Sequence, residues 1–273
     1  MARSRAEPVA GTHPIDTGVA ELMPDTVAGG WLLTVNGAQS SHIHPDPGVL
    51  DFEYMRQMAA MIAEVHPDDA ALRVLHLGAA ACALPRFIAD RYAASRQVAV
   101  EIDGALARLA REWFDLPRAP RLRIRVGDAR EVLESLREDT RDVIIRDAFA
   151  EARTPRHLTT REFVVEVRRV LTPGGLYLAN CGDNRDLTLA RAEVTTAASV
   201  FEHVAVVADA AMLKGRRTGN LVLVASDQAI EAGPGLVRTL LADPQPAKIL
   251  AGRQARDFGS GSVITDPADT SAD

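Results

Sequence analysis

The sequence predicts an α/β fold in which a small β-hairpin unit precedes a doubly wound, mainly parallel sheet. Apolar strands alternate with amphipathic helices over residues 50–228, and this alternation is typical of parallel sheets. The strands are continuously apolar, as expected for strands that helices cover on both faces. Before them, Asn36 and Gly37 lie between two apolar runs, which is a strong hairpin signal.

These patterns divide the chain into four parts. The polar residues 1–18 are rich in Pro and Gly and are expected to be disordered, and residues 19–49 are expected to form the small β-domain. The α/β domain covers 50–228, and a helix followed by a disordered tail is expected at 229–273. The last two strands of the α/β domain are joined by a segment too short for a firm crossover helix, so we expect an antiparallel pair at one edge of the sheet.

Composition narrows the possible functions of the 273-residue chain. A net charge of −6 disfavours nucleic acid as a partner. The two cysteines, Cys82 and Cys181, have no metal-binding spacing, so we expect neither a metal site nor a disulfide framework. No apolar run approaches the roughly 18 residues of a membrane span, and the N-terminus lacks the apolar segment of a secretory signal. A cytoplasmic location is therefore expected.

Small or acidic residues follow the predicted strands of the α/β domain. Ligands of doubly wound sheets bind beyond the carboxyl ends of the strands, so these residues are candidates for a binding site. In chain order, the candidates are Gly78, the pair Glu101 and Asp103, the segment Gly127-Asp128-Ala129, Asp147, and Asn180.

The spacing of these residues suggests a nucleoside site. Glu101 follows an apolar strand and could accept the hydroxyls of a ribose, while Asp128 could accept the amino group of adenine. Asp103 and Asp128 each precede a predicted helix, so either could instead be a helix N-cap. An acid on a ribose also fits NAD, but the Gly-Asp-Ala segment ending at Ala129 favours an S-adenosyl ligand.

Several segments resemble the spermidine synthase family of aminopropyltransferases. They are "VAVEIDGALARLAREWF", "LRIRVGDAREVL", "DVIIRDAF" and "HLTTREFVVEVRRVLTPGGLYLAN". The stretch "LTVNGAQSS" is similar to the family hairpin L-x-x-D-G-x-x-Q, and "LDFEYMRQM" is similar to the family segment D-E-x-x-Y-H-E. The resemblance runs from about residue 30 to residue 225. It implies a Rossmann-like, seven-stranded methyltransferase domain behind a small β-hairpin domain, and a homodimer.

The resemblance also implies a reaction. The family transfers an aminopropyl group from decarboxylated S-adenosylmethionine to an amine or polyamine acceptor in polyamine biosynthesis. Decarboxylated or ordinary S-adenosylmethionine would then be the co-substrate here. By resemblance, Asp147 would accept the amine proton, Tyr54 would lie beside it, and Gln39 would lie on the nucleoside side.

The sequence departs from the family pattern where the family holds cationic amines. The acid of the family's G-G-G-D-G-G loop falls on Ala81, and the second acid of its catalytic loop falls on Ala150. The His-Glu pair after the tyrosine has become Met55 and Arg56. Arg146 stands where the family is usually apolar, and strand alternation predicts that it points away from Asp147.

Two functions therefore stay open. The first is an enzyme that transfers an aminopropyl group, or a methyl group, to an amine-type acceptor. The second is a non-catalytic relative that works as a nucleoside-binding or scaffold module.

Overall fold

The structure of the protein is a computed structural model that describes residues 8–150 and 153–268. The strands are β1 (Gly11–Ile15), β2 (Gly18–Pro24), β3 (Trp31–Val35), β4 (Ala38–Ile43), β5 (Arg73–Leu77), β6 (Arg96–Glu101), β7 (Leu122–Val126), β8 (Arg141–Arg146), β9 (Leu171–Asp183), β10 (His203–Asp209), β11 (Gly219–Ser226) and β12 (Ala247–Ala251). The helices are α1 (Glu53–Val65), α2 (Ala83–Arg91), α3 (Gly104–Trp113), α4 (Ala129–Glu134), α5 (Arg161–Val170), α6 (Thr188–Ala198), α7 (Ala210–Leu213), α8 (Pro234–Ala242) and α9 (Arg253–Phe258), with a 3-10 turn at Arg156–Leu158. None of these helices has an apolar stretch that would reach across a bilayer.

The first four strands form a separate antiparallel sheet in the order β1-β2-β3-β4. Asn36 and Gly37 join β3 to β4, with φ values of 50° and 79°. Two left-handed residues in a two-residue loop give the turn that matches the twist of paired strands. The predicted hairpin is therefore confirmed.

The expectation of a disordered N-terminus differs from the structure. Strand β1 lies within residues 1–18 and pairs with β2. The segment is also tied to the α/β domain, because the backbone N–H and Oγ1 of Thr17 donate to Oδ2 of Asp103 at 2.6 Å and 2.8 Å. Local composition could not show a partner 86 positions away. Residues 1–7 lie outside the described residues.

The second sheet has eight strands in the order β12-β10-β11-β9-β8-β5-β6-β7. Strands β5 to β9 are parallel to their neighbours in this group, as the pattern predicted. The α/β class and the methyltransferase-like fold are thus confirmed, but the sheet has eight strands where seven were expected. The antiparallel pair of β10 and β11 is present, but β11 lies between β9 and β10, and the additional strand β12 occupies the edge in place of that pair.

The region 229–273 contains more order than a helix and a disordered tail. Beyond α8 it adds β12 and α9, and the chain then runs along the faces of α4 to α6. The Ile264 carbonyl accepts from the backbone N–H of Arg161 at 2.7 Å, and the Asp266 carboxylate receives two hydrogen bonds from Arg130. The polar composition of the tail gave no sign of these partners. The last five residues of the chain lie outside the described residues.

A buried ion pair joins the large sheet to α6. The Arg146 side chain is fully buried, and its Nη2 lies 2.6 Å from Oε2 of Glu193. Burial alone would lower the pKa of the guanidinium, but the Glu193 carboxylate raises it above its usual value. Burial likewise raises the pKa of Glu193, and Arg146 opposes that rise. Because Arg146 lies on the α4–α6 side of the sheet, the prediction that it points away from Asp147 is confirmed.

Glu193→Leu is expected to lower the free energy of unfolding by about 3–5 kcal/mol, because it leaves the Arg146 charge buried without a partner. The double variant Arg146→Met/Glu193→Leu should recover much of this loss, since it removes both charges. Urea denaturation would measure both. The control Glu166→Gln, which breaks a part-exposed pair with Arg169, should cost less than about 1 kcal/mol. Equal losses in the single and double variants would contradict the assigned role of the pair.

Candidate active site

Two neighbouring side chains hold the carboxylate of Asp147, which follows β8. Tyr54 from α1 donates its hydroxyl to Oδ2 at 2.9 Å, and Asn180 from β9 donates Nδ2 to Oδ1 at 2.9 Å. Burial raises the pKa of Asp147 above its ordinary value, and the two hydrogen bonds oppose the rise. Burial and the Asp147 carboxylate raise the pKa of Tyr54 well above its ordinary value, so the phenol stays protonated at neutral pH. The structure thus places the two predicted catalytic residues in contact.

Asn180 presents a second acceptor beside this carboxylate. Its Oδ1 atom is buried and accepts no hydrogen bond from the described residues. Buried amide oxygens are nearly always paired, so an unpaired one marks a position for a donor from outside the protein. The Asp147 carboxylate and Asn180 Oδ1 together suit the N–H groups of an amine.

Gly78 connects this centre to the loop that follows β5. Its N–H donates to the Val100 carbonyl at 3.0 Å, and the N–H of Asp147 donates to the Leu77 carbonyl at 2.8 Å. Gly78 has a φ of 97°, and a Cβ atom built there would lie 2.1 Å from the Asp147 carbonyl oxygen. Only glycine fits this close approach of two backbone segments.

The loop after Gly78 has an unusual backbone for its residues. Ala80 and Cys82 have φ values of 42° and 60°, in the left-handed region that favours glycine. The family that the sequence resembles has glycines at these two positions. The chain has therefore kept a glycine-type loop geometry after losing the glycines.

Glu101 holds this loop against the end of β6. Its Oε2 accepts from the N–H groups of Ala79 and Ala80 at 3.3 Å and 2.8 Å, and its Oε1 accepts from the N–H of Asp103 at 3.1 Å. Burial raises the pKa of Glu101, and the three N–H groups oppose the rise. A carboxylate has about four acceptor positions. Three are used, so the remaining one on Oε1 suits one ribose hydroxyl where the sequence suggested two.

Asp103 is a helix cap in the structure. Its Oδ1 accepts from the N–H of Leu106 at the start of α3, and its Oδ2 accepts from Thr17. These contacts hold the pKa of Asp103 below its usual value despite burial. Asp103 is 1% exposed and its oxygens accept from Thr17 and Leu106, so the capping alternative describes its contacts in the structure.

Asp128 is both a cap and a candidate ligand. Its Oδ1 accepts from the N–H groups of Arg130 and Glu131 in α4, while its Oδ2 lies 3.0 Å from Nε2 of His157. The Oδ2 atom keeps room for a second donor such as an adenine amino group. Ala129, the first residue of α4, is buried directly behind it.

The remaining predicted residues lie further from this centre. Gln39 is exposed on β4, in register with Thr34 of β3. Its place on the nucleoside side stays a prediction. Met55 belongs to the core, and Arg56 forms a two-bonded pair with Asp243 just after α8. Of the two residues that replace the family's His-Glu pair, Met55 therefore serves packing, and Arg56 forms an ion pair with Asp243.

The two alanines that stand at the positions of family acids have different surroundings. Ala81 is fully buried in the loop after β5, whereas Ala150 is exposed and forms an antiparallel bridge with Arg153. Within the described residues, no group of three or more His, Cys, Asp or Glu side chains is arranged to hold a metal ion.

Three residues near the site were not predicted. His157 reaches Asp128 from the 3-10 turn, 29 positions away. Ile102 is 62% exposed directly after Glu101, and Phe149 is 40% exposed two residues after Asp147. An apolar residue just past a strand-end acid was a visible signal for the last two, but nothing in the sequence linked His157 to Asp128.

Comparisons with known proteins show which family the chain is similar to. The chain is similar to a probable spermidine synthase from Corynebacterium glutamicum, whose crystal structure is 47% identical, covers 96% of this chain and 98% of that chain, and has a TM-score of 0.91. The polyamine aminopropyltransferase of Vibrio vulnificus is 31% identical over 132 residues, or 47% of this chain and 43% of that protein. The chain thus matches less than half the length of this curated relative.

A more distant structure shares the fold alone. The human methyltransferase-like protein 13 in complex with SAH is 22% identical, covers 81% of this chain and 97% of that chain, and has a TM-score of 0.58. No family model matches the chain.

Gly78→Ala is expected to destabilise the protein more than Gly37→Ala. Both glycines have positive φ, but a Cβ at Gly37 meets nothing within 4 Å, whereas one at Gly78 collides with the Asp147 carbonyl. Gly37→Ala should therefore cost about 1–2 kcal/mol for the left-handed backbone alone, and Gly78→Ala should cost more. Urea denaturation measures both free energies of unfolding. Equal costs would show that the backbone contact at Gly78 relaxes freely.

Proposed function

Because the chain belongs to the spermidine synthase family, we propose that it transfers an aminopropyl or methyl group from an S-adenosyl donor to an amine. The observation that supports this function most directly is the Asp147 carboxylate held between Tyr54 and Asn180. It lies at the same edge of the sheet as Glu101 and its loop. A doubly wound sheet binds its ligands along that edge.

The chemistry needs little from the protein beyond positioning and a base. The sulfonium of the donor supplies a good leaving group, and a neutral amine is the nucleophile. Asp147 would accept the proton that the amine loses. Its raised pKa increases its strength as a base, and Tyr54, protonated at neutral pH, fixes the orientation of its carboxylate.

The nucleoside would lie across the ends of β5, β6 and β7. Glu101 offers one acceptor position to the ribose, and Asp128 offers Oδ2 to the adenine amino group. The exposed side chains of Ile102 and Val126 lie on these strand ends and give the base an apolar surface. Asp103 and Gln39 are left out of this proposed site.

The group transferred depends on what the loop after β5 can hold. Ala81 is buried and provides no charge, so nothing at this position holds the terminal amine of decarboxylated S-adenosylmethionine. We therefore expect weak discrimination between decarboxylated and ordinary S-adenosylmethionine, which leaves methyl transfer as a second candidate. A cytoplasmic homodimer that does not bind nucleic acid remains a prediction from the sequence.

Glu101→Gln is expected to weaken binding of methylthioadenosine by about 1–3 kcal/mol. The new amide N–H₂ would face the N–H groups that the carboxylate now accepts, and the ribose would lose a charged partner. Calorimetric titration of the wild-type protein and the variant measures the difference. Glu112→Gln on the exposed side of α3 is the matched control and should change nothing. Wild-type protein that binds no methylthioadenosine would favour the non-catalytic scaffold.

Asp147→Asn is expected to reduce transfer by about a hundredfold to ten-thousandfold, the usual effect of a general base, and to spare methylthioadenosine binding. In the wild type, the rate should fall as the pH drops through the raised pKa of Asp147, because only the carboxylate accepts a proton. The Asp147→Asn variant should not show this fall in rate at low pH.

The matched control for the Asp147 prediction lies on the same strand. Asp142→Asn, in β8, breaks a pair with Arg73 far from the site and should leave transfer unchanged. Transfer at the wild-type rate in Asp147→Asn would exclude Asp147 as the base.

A further inference from the structure

The ring of Phe149 covers the edge of the sheet just beyond Asn180. A Cβ built on Gly182 would lie 3.0 Å from Cε1 of Phe149 and 3.4 Å from Oδ1 of Asn220. Asn180 and Gly182 are two residues apart in β9, so they face the same side of the sheet. An acceptor with its nitrogen at Asp147 would therefore extend over Asn180 toward a partly exposed aromatic ring and a neutral amide.

The polar centre has acceptors for one nitrogen. The Asp147 carboxylate uses two of its roughly four acceptor positions, for Tyr54 and Asn180, and the buried, unpaired Oδ1 of Asn180 lies beside it. Asp147 and Asn180 can therefore each accept one of the two N–H groups of a single primary amine.

The acids next along this edge are engaged by the protein itself. Asp183 accepts from the N–H groups of Asn184 and Ala190. Glu53 lies 3.5 Å from the guanidinium of Arg217, which also forms two hydrogen bonds with Asp209.

Among the described residues, the carboxylates that a second ammonium would meet already have partners in the protein. Ala150 stands where the family has an acid, so the described part of this loop offers no carboxylate in its place. These residues therefore favour an acceptor whose far end is uncharged.

We propose that the acceptor is a primary monoamine with an apolar carbon body, and that Phe149 selects it by packing against that body. This inference rests on the transferase function proposed above. In the reaction, the amine nitrogen forms a bond to the donor carbon, and the carbon–sulfur bond breaks with its electron pair left on sulfur. The proton released from nitrogen goes to Asp147, and the products are a substituted amine and a neutral thioether.

The test is calorimetric titration of amines into the full chain saturated with methylthioadenosine. The probes are 2-phenylethylamine, hexylamine and putrescine. We expect the two monoamines to bind at least about tenfold more tightly than putrescine, since apolar burial of this size is worth more than 1.4 kcal/mol. Phe149→Ala should weaken 2-phenylethylamine binding about tenfold or more, whereas Phe149→Leu should reduce the affinity for this amine by less.

Controls separate this inference from the proposed function. Leu189→Ala, which removes a similarly exposed apolar side chain from α6, should leave amine binding unchanged. Methylthioadenosine affinity should also be the same in the wild type and both Phe149 variants. Putrescine binding as tight as that of the monoamines, or an unchanged affinity in Phe149→Ala, would overturn the monoamine inference alone. A wild-type protein that binds no methylthioadenosine would overturn the transferase function and the inference with it.

Discussion

The close approach of two backbone segments at Gly78 and Asp147 determines the geometry of the whole candidate site. Strands β5 and β8 are neighbours at the centre of the sheet, and their ends meet without an intervening side chain. The loop that would hold the nucleoside and the residue that would accept the proton therefore start from the same point. A displacement of the backbone at Gly78 therefore also displaces the backbone at Asp147, because protein interiors are close-packed and leave no space between the two segments.

The loop after β5 shows how a site can keep its shape while its sequence changes. Ala80 and Cys82 adopt backbone angles that cost L-residues roughly 1–2 kcal/mol each. The two hydrogen bonds that Glu101 accepts from the loop N–H groups of Ala79 and Ala80 offset part of this cost. In this chain the acid at the end of β6 therefore stabilises the loop that lies beside the proposed ribose position.

Much of the fold and part of the site could be predicted from the sequence, because strand periodicity and strand-end acids are local signals. The positions of Asp147 and Glu101 at the sheet edge followed from these signals. The second role of Asp103 as an anchor for Thr17 did not, since it depends on a contact between distant segments. The same holds for His157 on Asp128, for the eighth strand and for the tail. Composition describes a segment by itself, and these elements are ordered by partners elsewhere in the chain.

The ion pair between Arg56 and Asp243 joins residues that are 187 positions apart in the chain. It fixes the start of α1, the helix that carries Tyr54. By contrast, Glu101 and the loop N–H groups it holds are only about 20 positions apart in the chain. Contacts between distant positions form late in folding, because the chain must first lose more loop entropy. The nucleoside half can therefore assemble from one continuous stretch, whereas the catalytic half is complete only when segments from both ends of the domain have met.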